Sequence, residues 1–268
     1  MVTLYAWVNP LSATKLLDHT WVTSYNNREN EYSDIDAVEA AGVEYWYCWG
    51  IFHPTGSTED YPDGMLFSTQ GDEAFSKCLV EPNAKCEDSD AAKGTIFTYG
   101  VDGVCHQLAN QVLYGAQSNG VAPLVSDARG YILSSALYGD YGRQHSAWTA
   151  QIAACTSESC EVATAGEDEM SDHFMNHVAK VLPGDDEALA QIADFRAQLQ
   201  THMTASLSSD EPSADDLNAA NRKALQGLEE QIGAEKFLAI FGHSASEAPD
   251  LVDPDMLAAS RGQSPLQA

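Results

Sequence analysis

Two short stretches of this chain carry residue types that can do nucleophilic chemistry together. They are Asp18-His-Thr-Trp-Val22 and Gly103-Val-Cys-His-Gln-Leu108. Cys105 follows Gly100 and Gly103, and Leu108, Ala109, Val112 and Leu113 behind it share one face at helical spacing. The spacing predicts a helix with Cys105 in its first turn and Asp102 as its cap. At a helix start the unpaired N–H groups and the dipole favour an anion, so the pattern predicts a thiol of lowered pKa. Such a thiolate can attack a carbonyl or add to an acceptor. It needs an imidazole to handle its proton and N–H groups, here those around Gly103 to Cys105, to hold the developing oxyanion. His19 supplies the imidazole from a strand-like run. Glu44 and His53 flank the next such run, and either can be the third group that orients the ring.

Other residues bear on what this site takes. Trp21, Tyr45, Trp46 and Tyr99 surround the two stretches with aromatic surface, which suits a partly apolar small molecule or peptide. Arg129, in Asp127-Ala-Arg-Gly130, can clamp a substrate carboxylate or close an ion pair within its own turn. His106 adjoins Cys105 as a substrate contact. It also opens a second class of reading, in which His19, Cys105 and His106 hold a metal or cofactor. Neighbouring helical side chains diverge by about 100°, which makes joint ligation awkward. Glu169, His173 and His177 share a helical face, but the zinc-protease pattern is missing and a solvated amphipathic face accounts for them. No glycine-rich phosphate loop and no G-x-S-x-G elbow occurs. The expectation is therefore a site without metal or cofactor. A third class, a binding protein without chemistry, stays open.

The elements that must position these residues can be read from pattern. Strands are expected over 3–8, 19–25, 43–52, 95–99, 120–125 and 131–137. Residues 55–94 read as one long polar connection. Helices are expected from Cys105, over 146–155 and 167–182, over 185–207, and from the cap at Ser213 to about Phe241, with a loose tail after Gly242. The fold class is α+β: a mixed or antiparallel sheet with the Cys105 helix packed on it, and a helical C-terminal extension. The corresponding division is a catalytic domain over 1–160, the extension over 161–245 and the tail over 246–268.

Composition bounds the partners. Of the 268 residues 40 are acidic and 13 basic, a formal charge of -27, which repels nucleic acid and anionic membrane surfaces. A solubility adaptation explains such a charge, and attraction of a cationic substrate is the narrower alternative. No apolar run reaches the roughly 20 residues of a membrane span. The first ten residues lack the basic and long apolar regions of a signal peptide, so a cytoplasmic protein is expected, with a mature secreted form left open. The six cysteines form no C-x-x-C pair. Cys78 with Cys86 and Cys155 with Cys160 enclose short loops that disulfides can close, against reduced thiols as the alternative. Cys48 reads as a core thiol.

With its histidine on an early strand and its cysteine opening a later helix, the chain resembles the circularly permuted NlpC/P60 group of papain-like proteins. That group includes the lecithin:retinol acyltransferase-like enzymes. The resemblance rests on His19 and Cys105 within the two quoted stretches and on the element order over roughly residues 15–135. It implies hydrolysis or acyl transfer at an amide or ester carbonyl through a thioester intermediate, with Cys105 as nucleophile and His19 as base.

Overall fold

The computed structural model describes residues 2–10, 16–23, 26, 40, 64–71, 98–116, 121–144, 172–206 and 211–261. Within them the fold is α+β: a three-stranded antiparallel sheet and seven α-helices. The strands are β1 (Val2–Pro10), β2 (Asp18–Thr23) and β3 (Gly64–Gly71), in the order β2-β1-β3. β-Branched and aromatic residues suit the pleat of β1 and β2. Tyr5 pairs with Thr23, Trp7 with Trp21 and Asn9 with His19, so these six share one face of the β1–β2 pair. The Trp7 indole donates to the Thr23 hydroxyl at 2.7 Å on that face. β3 falls inside the stretch expected to be one long loop. Its Gly64 and Gly71 ends read as loop residues, and pairing along β1 makes the strand.

The helices are α1 (Cys105–Leu113), α2 (Tyr131–Tyr138), α3 (His173–Val181), α4 (Asp186–Ser206), α5 (Ala214–Ile232), α6 (Ala234–Phe241) and α7 (Pro254–Ser260). Helix α1 starts where expected, yet Asp102 does not cap it. Asp102 Oδ2 instead accepts from the Thr98 N–H at 2.7 Å, and the Gln107 side chain accepts from the Val104 N–H at the helix start. Residues 98–103 form a turn around Gly100, at φ 78°, in place of an expected strand end. No ladder forms over 121–125.

Helix α2 occupies residues expected as a strand. A short apolar run fits either period, and the neighbours decide. Tyr131, Ser134, Ser135 and Tyr138 recur at helical spacing. The glycines at both ends, Gly130 (φ 81°) and Gly139 (φ 77°), allow the chain to turn in and out. The Ser213 cap is as expected, with its hydroxyl accepting from the Asp216 N–H. Gly233, at φ 90°, splits the single expected helix into α5 and α6. The tail is not loose up to Arg261. Leu251, Val252 and Leu257 are buried, and Asn218 exchanges two hydrogen bonds with the Val252 backbone. One continuous apolar core runs from Leu4 and Trp21 through Leu113 and Leu137 to Phe237 and Leu257.

Gly130 is the position where local geometry leaves least room. A Cβ there would stand 2.1 Å from Leu17 Cδ2, in a backbone conformation that L side chains rarely adopt. Gly130→Ala should lower the unfolding free energy by about 2–4 kcal/mol, from left-handed strain plus overpacking. Urea unfolding of the two proteins measures it.

Candidate functional site

The two stretches singled out by their chemistry meet in space. β2 is an edge strand of the described sheet, so alternate backbone groups along it face away from β1 and require other partners. The chain supplies them from the start of α1 and the turn before α2. The Asp18 N–H donates to the Arg129 carbonyl at 3.1 Å. The Asp18 carbonyl accepts from His106 Nε2 at 3.0 Å and from the Cys105 thiol at 3.8 Å. Helix α1 is thus docked end-on to the strand that carries His19.

Cys105 is buried, at 3% exposure, as a free thiol. Its environment contains opposing effects. Burial pushes the thiol pKa up to about 11, while donors at the sulfur, the Thr20 N–H and hydroxyl first among them and the first-turn N–H groups next, pull it down. The expectation of a lowered thiol pKa is therefore corrected. The helix-start effect is present, but desolvation of the anion outweighs it.

His106 is held at both ring nitrogens. A carbonyl only accepts, so Nε2 carries the proton toward Asp18, and Nδ1 accepts from the Ser134 hydroxyl at 2.8 Å. Desolvation pushes its pKa down to about 4, which keeps the ring neutral. Both nitrogens are engaged, so the ring is a structural strut between β2 and α2, not a surface-facing substrate contact or a ready metal ligand. Among the described residues no three His, Cys, Asp or Glu side chains are grouped to hold a metal ion. His173 packs edge-on against Tyr131, and His177 bonds the Ile240 carbonyl at 3.0 Å.

His19 is buried and stacked on Trp21, with ring centroids 5.2 Å apart. Side chains alternate along a strand, so His19 and Trp21 project from one face of β2 and Thr20 from the other. The sulfur lies at the edge of the strand, 3.8 Å from the Asp18 carbonyl. Tyr99 is buried at 1% exposure under the C-terminal segment: the Asp253 N–H donates to its hydroxyl at 3.2 Å, and its O–H reaches Met256 Sδ at 3.8 Å. Arg129 closes an ion pair that ties its turn to β2, with Asp18 as the partner. Its Nε and backbone N–H donate to the two oxygens of Asp18 at 2.9 and 2.8 Å. Glu44, Tyr45, Trp46 and His53 lie outside the described residues, as do Cys48, Cys78, Cys86, Cys155, Cys160 and Glu169.

Sequence reasoning did not find the polar side of α1. Asn110 donates to the Tyr131 hydroxyl and the Asp140 carbonyl and accepts from the Val125 N–H. Gln107 donates to the Gly139 carbonyl and Gln111 to the Tyr141 carbonyl. Tyr131 donates to Asp140 Oδ1 at 2.7 Å, and Asp140 Oδ2 accepts from the first N–H of α3. Burial raises the Asp140 pKa. The signal was present: His106, Gln107, Asn110 and Gln111 form a second stripe at helical spacing beside the apolar one. Comparison with known protein families, with curated proteins and with solved structures finds no match.

The buried neutral imidazole makes stability depend on pH. With a folded pKa near 4 and an unfolded value near 6.5, the unfolded chain binds the extra proton in that window. Stability contributed by neutral His106 is fully present above about pH 6.5 and is lost as pH falls toward 4, by about 3 kcal/mol in all. Urea unfolding at pH 7 and pH 4.5 measures the loss. A His106→Gln variant, weaker at pH 7, should lose correspondingly less on acidification.

Proposed function

We propose that the chain is a cysteine-dependent hydrolase or acyltransferase that acts on an amide or ester of a partly apolar small molecule or peptide. Cys105 is the nucleophile and His19 the base. The observation that supports this reading most is the docking of the Cys105 end of α1 onto the His19 strand, with the Cys105 thiol donating to the Asp18 carbonyl next to His19. In the reaction, His19 takes the thiol proton as sulfur attacks the carbonyl carbon. The tetrahedral intermediate then expels the amine or alcohol, which takes that proton, and leaves a thioester. Water or a second acceptor resolves the thioester and regenerates the thiol. The N–H groups of the first turn of α1 are the oxyanion donors in this scheme.

The buried thiol sets a condition on the reading. The sulfur is buried at the edge of β2, so attack requires that edge to open and the His19 ring to reach it. The high thiol pKa favours a second reading, in which Cys105 is a core thiol of a binding protein without chemistry.

Mass spectrometry of the protein incubated with activated ester and thioester probes separates the two. The catalytic reading expects an acyl adduct on the Cys105 peptide. Cys105→Ser should lower turnover by about a thousandfold or more, and His19→Ala should do likewise. Absence of any adduct, with Cys105 no faster than Cys48 toward iodoacetamide at pH 8, would favour the binding protein.

A further inference from the structure

We propose that residues 251–260 form a strap that controls access to Cys105: its release frees the turn before α1 and lets the start of that helix leave the edge of β2. Control of catalysis rests on the reading of Cys105 as nucleophile, but control of access to the thiol does not. At 3% exposure the sulfur meets no substrate until something moves. The turn over residues 98–103 leads directly into it, and the Gly100 N–H ties that turn to the Gly103 carbonyl at 2.7 Å. The turn is clamped from two sides. On the α2 side the Tyr138 hydroxyl donates to the Gly100 carbonyl, Arg143 Nη1 to the Val101 carbonyl and the Arg143 N–H to the Asp102 carbonyl, at 3.2, 3.0 and 2.7 Å. On the other side lies the strap. The Asp253 N–H donates to the Tyr99 hydroxyl, which donates to Met256 Sδ. Val252 lies directly against Gly100, where a Cβ would stand 3.1 Å from Val252 Cγ1.

The two sides differ in what holds them. The α2 side uses a buried guanidinium, and charge-assisted bonds are the strong ones. The strap is held by neutral bonds: the pair at Tyr99, and the two that Asn218 of α5 exchanges with the Val252 backbone. Next to it, Arg222 pairs with Asp250 at exposed positions, where an ion pair contributes little. Leu251, Val252 and Leu257 are its buried apolar anchors. A short unit with few buried anchors and mostly side-chain ties opens locally at a lower free energy than the whole fold. The strap is therefore the side of the clamp that lets go first, and the Tyr99–Gly103 bridge carries the change to the residues beside Cys105.

Iodoacetamide labelling of the full chain at fixed pH, with the Cys105 peptide quantified by mass spectrometry, reads access. Hydrogen exchange of the 251–257 amides reads release of the strap. Asn218→Ala removes the ties to Val252, and Tyr99→Phe removes those to Asp253 and Met256. Each should speed both exchange of the strap and labelling of Cys105 about tenfold, the loss expected for such bonds. Labelling should depend only weakly on urea below the unfolding range, because a local opening exposes little surface. Phe237→Leu, a core change in α6, should raise labelling only as far as its urea-measured stability falls. If Asn218→Ala does not fold, Tyr99→Phe carries the test. Faster strap exchange with unchanged Cys105 labelling overturns the proposal. So does strap exchange unmoved in both variants, or labelling that rises only in step with lost global stability. Faster labelling in a protein that activated esters never acylate keeps the strap and removes only its catalytic consequence.

Discussion

A helix with no exposed side has to match every polar group it carries, and α1 is such a helix. All nine of its residues are buried, and His106, Gln107, Asn110 and Gln111 are polar. An unmatched amide or imidazole in that position costs roughly 1–3 kcal/mol. Each of the four therefore bonds a backbone group or side chain of a neighbouring segment. Those neighbours are the edge of β2, helix α2, the segment before it at Val125 and the turn that follows it. They are the segments through which the sheet, the Cys105 helix and the C-terminal helices join. The apolar stripe of α1 fills the core, and its polar stripe determines which backbone lies where.

The same burial governs the chemistry at the start of the helix. Removing water destabilises any charge, so it raises the thiol pKa of Cys105 and lowers that of His106 together. The donors at the sulfur counter this without overcoming it. The result is a neutral thiol beside a neutral imidazole whose two nitrogens are already engaged. His106 is thereby a fixed part of the frame, and the chemistry proposed for the site falls to His19 on β2. Asp18 links the two roles, because its carboxylate holds the Arg129 turn while its carbonyl receives the start of α1.

The C-terminal helices belong to the same frame. The Asp140 carboxylate accepts from Tyr131 in α2 and from the first N–H of α3. Asn221 of α5 donates to the Tyr138 hydroxyl, which in turn donates to the Gly100 carbonyl. These bonds run from the helical half back to the turn that precedes Cys105. The residues read as an extension from their change in composition therefore share the core and the polar contacts of the first half.

The sequence by itself determined what depends on near neighbours along the chain. The periodicity after Gly103 places Cys105 at a helix start, β-branched and aromatic residues mark β1 and β2, and Ser213 with Asp216 marks the start of α5. Each of those signals is complete within a few residues. The tertiary structure decided what depends on partners far along the chain. Tyr131–Tyr138 is a helix because its stripe meets α1, and Gly64–Gly71 is a strand because β1 offers an edge. Residues 251–257 are ordered because Asn218 and the core hold them. The thiol of Cys105 shows the difference most directly. Its place at a helix start is a local property and was legible. Its charge state depends on how much water the fold leaves beside it, and no spacing of residues encodes that.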